Sequence, residues 1–507
     1  MNFSKTIPDG PFHAIVIGAG VNGLAAGVNL AAAGIKTLIV ERSHCIGGQA
    51  VTEESLLPGF KLHPHANYLS YQQLLDRQPD AASRAMPRNT VMPLAQHGLA
   101  FRDGRPPVIL YRRELLARTR QSLAVFSRHD ARAFQQVKGL ADQLTKALAD
   151  IYFSPPYAAS IAGYAKKIAG VYAGMFDARR LGTRSAQQVI DALFESDEVR
   201  TLFYRLTLEF SGSFLEEGSD IAFLGYVLWL LGRRTLPLGG MASVPNALAA
   251  AARDAGASIV CGVDIDRISA RNGTVDGVFL SDGTHIPAAI VVSSADYGGS
   301  MGTLLSGAAP GVQARQQLAS YAGVQAGMIG SYSACLARAP EYRSGRHQAD
   351  INRCAQVFIG LDSTAEVIGH VSDMAAGRLP QAFGAVRMNS LWDPSQSPAG
   401  QYAAGADCPF PGGLDAALCE EVEAGFPAAF ADTWAEYAPN LQGGILAHQV
   451  RLSSDRARKI ALREGADQYR GPVPGYYLCG ASTHPGGGVH GACGVNAVKV
   501  ILREVAG

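Results

Sequence analysis

The beginning of the chain has the most regular pattern of apolar and polar positions. The apolar residues 15–17, Ile-Val-Ile, lead into a glycine-rich turn and predict a buried strand. The alanine-rich residues 24–33 predict a helix, which Gly34 ends. The apolar residues 35–40 predict a second strand, and Glu41 follows it directly. The chain therefore opens with a strand, a turn, a helix and a strand that ends in a carboxylate.

The turn carries three glycines, Gly18, Gly20 and Gly23, in the spacing G-x-G-x-x-G. In such units the first glycine permits a tight turn, the second lets the backbone approach a pyrophosphate, and the third lets the helix pack close to the strand. The amide groups at the helix start favour phosphate, and a carboxylate at the position of Glu41 accepts hydrogen bonds from ribose hydroxyls. The pattern predicts a dinucleotide site, although this motif alone does not separate NAD from FAD.

A glycine pair, Gly47-Gly48, follows Glu41 closely. A pair at this distance resembles the extended fingerprint of the flavoproteins with two dinucleotide-binding folds. In that group the doublet brings the backbone near the FAD diphosphate. The resemblance therefore favours FAD as the cofactor.

The middle of the chain predicts a second, less regular unit. Residues 91–111 alternate apolar and polar positions, as antiparallel strands do. Residues 130–152 are strongly helical, with Asp130 as the expected N-cap. Residues 258–268 predict one strand, and Asn272-Gly273 predicts a hairpin after it.

The end of the chain repeats the order found at its beginning. Residues 475–481 predict a short buried strand, residues 482–491 are a glycine-rich turn, and residues 492–504 predict a helix. The start of such a helix stabilises negative charge, including the charge that develops on the N1–C2=O edge of a reduced flavin.

The composition excludes several classes of protein. The chain has 507 residues, is 48% hydrophobic and 17% charged, and carries a net charge of +1, so we expect a large core and no nucleic-acid partner. The eight cysteines form no C-x-x-C pair, which favours reduced thiols over a disulfide scaffold or a zinc ribbon. No signal-peptide pattern precedes the first strand, and we expect a cytoplasmic protein.

Two segments are compatible with a peripheral contact between the protein and a membrane. The apolar run at residues 221–231 is too short to span a bilayer and favours a buried helix or the wall of a substrate tunnel. Six arginines gather between positions 102 and 120, where a solvated face is favoured over an anion-binding or membrane-surface patch. Peripheral membrane contact is therefore retained as an alternative.

With both ends considered, the sequence resembles the phytoene-desaturase-like FAD oxidoreductases, and within them the pyridine-nucleotide-disulphide-oxidoreductase-domain-like branch. Four segments carry the resemblance, at residues 17–24, 40–48, 237–241 and 477–491. It implies an α/β fold, with a Rossmann-like FAD-binding domain of the two-dinucleotide-fold type and a mixed α+β substrate domain. The implied FAD-binding domain comprises residues 1–60, 236–300 and 451–507, and the implied substrate domain comprises residues 61–235 and 301–450.

The resemblance also implies roles for single residues. Gly18, Gly20 and Gly23 would hold the pyrophosphate of FAD. Residues at its adenosine end would be Glu41, Arg42 and Val263. Residues along its diphosphate, ribityl chain and flavin edge would be Gly47, Gly48, Gly480, Ala481, Gly488, Val489 and Gly491. Because many relatives carry an acid where this chain has Ala481, the ribityl contact there would come from the backbone or from Ser482 and Thr483.

Two histidines are candidate catalytic residues. A flavin dehydrogenase places a C–H bond over N5 and in many reactions needs a base. His65 follows the glycine pair, and His490 lies in the C-terminal turn. His63 lies two positions before His65, so a structural histidine pair is the alternative, and no third ligand indicates a metal there.

We expect an enzyme that removes two hydrogens from a largely apolar organic substrate and passes the electrons to O2 or a quinone. A flavin-dependent isomerase or saturase on the same fold is the first alternative. A catalytically idle FAD-binding scaffold protein is the second. A homodimer is also left open.

Overall fold

Among the residues that the structure describes, the first sheet of the computed structural model contains five parallel strands, in the order β17 (Tyr476–Leu478), β11 (Ile290–Ser293), β1 (Ala14–Ile17), β2 (Thr37–Glu41) and β7 (Ser258–Cys261). The structure describes residues 3–173, 177, 180–211, 213–224, 231–305, 328–453 and 469–506. The two predicted strands at the start and the one near the end are thereby confirmed, and they lie in one sheet.

Three helices cover one face of this sheet, and Val16, Ile39 and Val292 point towards them. The helices are α1 (Val21–Ala32), α10 (Ser243–Asp254) and α13 (Ala492–Val505). Parallel strands buried on both faces are apolar throughout, which explains why their sequences do not alternate.

A small antiparallel sheet covers the other face, where Ile15, Leu38 and Val291 are buried. Its strands are β8 (Ile265–Arg271), β9 (Thr274–Leu280) and β10 (His285–Pro287). The predicted hairpin is confirmed, since Asn272 and Gly273 adopt φ angles of 52° and 80° between β8 and β9. The single strand predicted at 258–268 is wrong, because Gly262, with φ 73°, turns the chain between β7 and β8.

A seven-stranded mixed sheet forms the second layer of the molecule, in the order β16-β12-β15-β14-β13-β4-β5. Helix α12 (Ala416–Tyr437) packs on one face of it, where Phe430, Trp434 and Tyr437 are fully buried. The strands are β4 (Ala95–Leu99), β5 (Val108–Tyr111), β12 (Met328–Leu336), β13 (Cys354–Ile359), β14 (Gly384–Arg387), β15 (Tyr402–Phe410) and β16 (Ile445–Ser453). The antiparallel pair predicted within residues 91–111 is confirmed as β4 and β5.

Helices surround this second sheet and connect it to the first. They are α2 (Gln72–Leu75), α3 (Ala81–Ala85), α4 (Leu116–Ala124), α5 (Arg128–Tyr152), α6 (Ala158–Tyr172), α7 (Ala186–Leu193), α8 (Asp197–Ser211), α9 (Asp220–Ala222) and α11 (Thr364–Ala375). The strands β3 (Thr90–Val91) and β6 (Leu236–Pro237) pair with each other at the junction. No helix in the described part of the chain is both long and apolar enough to cross a bilayer.

One capping prediction is wrong. Asp130 is not the N-cap of α5, because the helix begins at Arg128 and the Ser127 hydroxyl accepts the Asp130 N–H at 3.1 Å. The Asp130 carboxylate instead accepts the backbone N–H groups of Glu195 and Ser196 at 2.8 and 3.0 Å. It therefore joins the start of α5 to the start of α8.

The predicted α/β class with a parallel nucleotide-type sheet and a mixed second unit is confirmed. The five parallel strands all lie in the segments predicted for the FAD-binding domain, whereas β16 crosses the predicted boundary at residue 450. The domain boundaries themselves stay a prediction. The apolar run at 221–231 lies largely outside the described residues.

The contact between α1 and α13 yields a first prediction. A Cβ added at Gly494 would overlap the Asn22 carbonyl oxygen and lie 2.8 Å from the Ala26 nitrogen, whereas one added at Gly369 in α11 meets nothing within 4 Å. Gly494→Ala should therefore lower the free energy of unfolding by about 1–3 kcal/mol, and Gly369→Ala should raise it by about 0.5–1 kcal/mol. Guanidinium unfolding followed by circular dichroism measures both, and equal effects would refute the close contact.

Candidate active site

The first glycine loop lies between β1 and α1. Gly18 has φ 92°, and a Cβ at Gly23 would overlap the Gly18 carbonyl oxygen, so the turn closes only without side chains. Helix α1 begins at Val21, its N-cap Gly20 provides no side-chain cap, and its first turn contains no acid. Its first amide groups are thus directed at a space suited to phosphate.

Glu41 lies at the end of β2, beside this loop, and is 8% exposed. Its two carboxylate oxygens accept the backbone N–H groups of Ala19 at 2.7 Å and Ser43 at 2.9 Å. Each oxygen retains a further lone pair, so the carboxylate fixes the loop and can still accept hydroxyl groups. Val263 donates its N–H to the Glu41 carbonyl at 3.1 Å, and Arg42 is exposed.

The glycine pair approaches the first loop through backbone alone. The Gly47 N–H donates to the Ala19 carbonyl at 2.9 Å. Gly48 has φ 58°, and a Cβ there would lie 3.3 Å from the Gly20 Cα. The two loops therefore form a wall of bare backbone, as a bound diphosphate requires.

The C-terminal loop reaches the same sheet edge after β17. A Cβ at Gly480 would lie 2.5 Å from the Ala295 carbonyl oxygen, so only glycine fits. Ala481 is exposed beside it. The Ser482 hydroxyl accepts the Tyr297 N–H at 3.0 Å, and the Thr483 hydroxyl donates to the Gly480 carbonyl at 2.9 Å. Both hydroxyls thus hold the loop itself, and the exposed backbone is the better candidate for a ribityl contact.

His490 is buried within this loop and is 1% exposed. Its Nδ1 accepts the Ala492 N–H, the first amide of α13, at 3.0 Å. Its ring lies edge-on to Tyr71 and Tyr152, with centroids at 4.7 and 5.7 Å. Burial lowers the pKa of His490 to about 4, so the ring is neutral at pH 7.

The segment that carries His65 connects the two glycine regions. The Ala66 N–H donates to the Gln49 carbonyl at 3.2 Å, directly after the glycine pair. At the other end of the segment, Tyr71 packs against His490. His65 is half-buried between these contacts. His65 therefore lies at the end of this segment that contacts the glycine pair, and Tyr71, at the other end, contacts His490.

His63 holds loops together. Its Nε2 lies 2.9 Å from Gln396 Oε1, and its Nδ1 lies 3.4 Å from the Thr52 hydroxyl. The Thr52 hydroxyl also accepts the Ala242 N–H at 3.1 Å, and burial lowers the pKa of His63. This supports the structural interpretation for one member of the histidine pair.

A group of buried charges lies on the face of the seven-stranded sheet opposite α12. Arg387 of β14 binds Asp407 of β15 through two hydrogen bonds of 2.7 and 3.0 Å. Burial opposes the charge of Arg387, but Asp407 outweighs it and raises the pKa of Arg387. No local sequence pattern indicates this pair, because the two residues are 20 positions apart in unrelated contexts.

Arg234 forms the second part of this buried group. It binds Glu209 at 3.1 Å, and its guanidinium stacks on the Tyr68 ring at 3.7 Å from the centroid. The other Glu209 oxygen accepts the Gln356 amide at 2.6 Å, and the Gln356 oxygen lies 3.1 Å from His97 Nδ1. Tyr68 thus connects the His65 segment to the charged face.

A small pocket lies beside this group. Asn67, Asn389 and Arg387 line it. Both asparagines use their amide nitrogens on backbone carbonyls, at 3.2 and 2.7 Å. The remaining Asn67 Oδ1, Asn389 Oδ1 and Arg387 Nε are buried without a hydrogen-bond partner. The pocket therefore offers two acceptors and one donor to a bound polar group.

One other cluster of polar side chains is structural. Within the described ranges, His129, Asp130 and Glu195 bring ligand atoms close enough to share a metal ion. The Asp130 oxygens are already acceptors at the junction of α5 and α8, including from the Ser196 hydroxyl at 2.6 Å. We assign this cluster no metal.

The sequence matches a known family along residues 22–306, the family of flavin containing amine oxidoreductases. The match covers more than half of the 507 residues. The chain belongs to this family. It is therefore an FAD-dependent oxidoreductase, and the idle scaffold is set aside.

Curated relatives of this oxidoreductase span nearly its whole length. Pyridine nucleotide-disulfide oxidoreductase domain-containing protein 2 of Mus musculus is 27% identical, covering 97% of this chain and 94% of its own. One of the chains of the limonene dehydrogenase of Castellaniella defragrans is 24% identical with the same coverage. The predicted resemblance to phytoene-desaturase-like oxidoreductases and to this branch is confirmed.

A solved structure confirms the fold. Cyclohexylamine oxidase from Brevibacterium oxydans superposes with a TM-score of 0.57 at 15% identity, covering 99% of this chain and 100% of its own. The glycine loops of the present oxidoreductase fit FAD, since the uncapped start of α1 and the bare backbone at Gly20 and Gly48 leave room for a diphosphate.

The buried His490 yields a prediction on pH. Its folded pKa of about 4 lies below the ordinary 6.5, so its contribution to stability is complete above pH 6.5 and is lost as the pH falls towards 4. Between pH 7 and 4.5 this single group should account for roughly 2–3 kcal/mol of lost stability. Guanidinium unfolding of the wild type and His490→Gln at both pH values measures it. Equal losses in the two proteins would contradict the neutral buried ring.

Proposed function

We propose that the two ends of the chain hold one FAD. The start of α1, with Gly18, Gly20 and Gly23, receives the pyrophosphate, and Glu41 receives the adenosine ribose. Support comes from the uncapped amides of α1 and from the free lone pairs of Glu41. The other residues proposed to contact FAD are Arg42, Gly47, Gly48, Val263, Gly480, Ala481, Gly488, Val489 and Gly491.

The reaction that we propose is the removal of two hydrogens from an organic substrate. Bound FAD supplies the two-electron acceptor for such a step. The substrate lies beside the His65–Tyr71 segment, near the charged face of the second sheet, since Tyr68 of this segment stacks on Arg234 of that face. The placement of this segment between the two glycine regions is the observation that carries the proposal.

The substrate that this site favours is largely apolar and carries one uncharged polar group. A largely apolar substrate agrees with the name of one relative, a limonene dehydrogenase. The polar group would bind in the pocket at Asn67, Arg387 and Asn389, which offers both acceptors and a donor. An uncharged group is favoured because Asp407 already neutralises Arg387.

We assign the two candidate histidines different roles. His65 is the candidate proton acceptor, because it is half-buried in the segment that faces the substrate. His490 orders the C-terminal glycine-rich loop, because its Nδ1 lone pair accepts the Ala492 N–H and its pKa of about 4 makes it a weak base.

The electrons pass to O2 or a quinone. The protein is cytoplasmic, with peripheral membrane contact as an alternative. A homodimer is the proposed assembly.

Replacing His65 tests this assignment. His65→Ala should slow anaerobic flavin reduction at least tenfold while FAD content stays unchanged, and His65→Gln should be equally slow because it lacks the base. His347→Ala, at an exposed position, is the control. Stopped-flow bleaching with limonene, a polyene, a primary amine and an acyl chain measures the rate. Unchanged rates of flavin reduction in both His65 variants would show that His65 has only a structural role.

Product mass tests the reaction. Loss of two mass units from the substrate that bleaches the flavin supports dehydrogenation. An unchanged substrate mass would show that the enzyme is an isomerase. A gain of two mass units would show that it is a saturase.

A further inference from the structure

The small pocket at Asn67, Arg387 and Asn389 has room for one non-hydrogen atom. The centre of a water molecule can occupy about 20 Å³ within it. One bound water needs about 10–15 Å³ of such space. The pocket therefore accommodates a single oxygen atom and is too small for a carboxylate, an amide or a hydrocarbon chain.

Three polar atoms of the lining residues are buried and have no hydrogen-bond partner in the described part of the chain. They are Asn67 Oδ1, Asn389 Oδ1 and Arg387 Nε, on side chains of residues that are 5%, 8% and 4% exposed. Arg387 binds Asp407 through Nη1 and Nη2, so this ion pair does not use Nε. Because an unpaired buried polar atom is costly, a ligand that pairs all three is favoured.

The other hydrogen-bonding side chains of the lining are less available to a ligand. His63 and Gln396 bind each other at 2.9 Å, and the Gln396 amide donates to Asp393 at 2.8 Å. Lys61, which also lines the pocket, is half-buried. The choice of ligand thus depends on the two asparagine oxygens and on Arg387 Nε.

These three atoms require a ligand that both donates and accepts hydrogen bonds. The asparagine oxygens only accept, and the Arg387 Nε–H only donates. An anion cannot donate to the two oxygens, and a cation cannot accept from Nε. A water molecule fits, because its two O–H groups pair the two oxygens and one of its lone pairs accepts the Nε–H. Its second lone pair is left over.

We propose that Asn67, Asn389 and Arg387 bind one water molecule, and that its remaining lone pair accepts a hydrogen bond from the substrate. This inference rests on the proposed function, which places the polar group of the substrate at this pocket. It narrows the substrate class, since the polar group must be a hydrogen-bond donor such as a hydroxyl. An ether or a ketone can only accept and is disfavoured. A bridging water makes such a contact nearly as favourable as a direct hydrogen bond.

The same two asparagines fix the water site relative to the candidate base. The Asn389 amide donates to the Asn67 carbonyl at 2.7 Å, and the Asn67 amide donates to the His65 carbonyl at 3.2 Å. The acceptors of the water therefore belong to the residues that hold the His65 segment. A substrate bound through this water would have a defined position relative to His65.

A high-resolution crystal structure of the FAD-loaded enzyme tests the water site. We expect one ordered oxygen within about 3.2 Å of Asn67 Oδ1, Asn389 Oδ1 and Arg387 Nε. The absence of an ordered oxygen there would overturn the proposal, and so would an anion or a metal ion in its place. Flavin reduction plays no part in this measurement, so a wrong reaction assignment would leave its result unchanged.

Binding of matched ligands tests the recognition of a donor. The visible flavin spectrum of the anaerobic FAD-loaded enzyme follows titration with geraniol, geranyl methyl ether and geranic acid. Geraniol should bind at least tenfold more tightly than its ether and its acid, because only its hydroxyl donates to the water without adding a charge. Asn67→Leu and Asn389→Leu should each abolish the preference for geraniol over the ether. Asn89→Leu, at an exposed position, should keep it.

Three binding results would overturn the proposal. The first is equal or absent binding of geraniol and its ether to the wild type. The second is tighter binding of geranic acid than of geraniol, which would assign the pocket to an anion held by Lys61 and Arg387. The third is an unchanged preference for geraniol in both asparagine variants. Circular dichroism and flavin content verify that each variant is folded.

Discussion

The two ends of this chain contact each other where glycines let backbone atoms approach closely. At Gly23 a side chain would overlap the preceding turn, and at Gly494 it would overlap the first turn of α1. The glycine pair meets the first loop in the same way, with Gly48 beside Gly20. Helices and loops that are more than 450 residues apart can thus share one sheet edge. We propose that the dinucleotide site depends on this contact, because each loop would supply only part of the backbone around the cofactor.

The charged face of the second sheet presents a different constraint. Arg387 and Arg234 are buried, and each is held by a carboxylate, so their cost of desolvation is offset within the protein. The two ion pairs, Arg234 with Glu209 and Arg387 with Asp407, cancel each other's charges on this face.

Much of the nucleotide unit could be predicted from the sequence because its determinants are local. The spacing of Gly18, Gly20 and Gly23, and the strand that ends at Glu41, lie within one short stretch. The contacts of Arg387 with Asp407 and of His490 with Ala492 depend on tertiary register and on ring orientation, which no local pattern encodes. The N-cap Ser127 of α5 is also hard to predict, because Asp130 is an equally good cap in isolation and its carboxylate instead binds the backbone of Glu195.

The dissociation constant of FAD in variants of the two chain ends tests the central claim most directly. Glu41→Gln changes the N-terminal end, and Gly488→Ala changes the C-terminal end, where a Cβ would lie 2.8 Å from the rings of Tyr71 and His490. Flavin fluorescence titration of the folded apoproteins should show at least tenfold weaker FAD binding for each variant. An unchanged dissociation constant in Gly488→Ala, with Glu41→Gln weakened, would contradict the claim that both ends hold the same FAD.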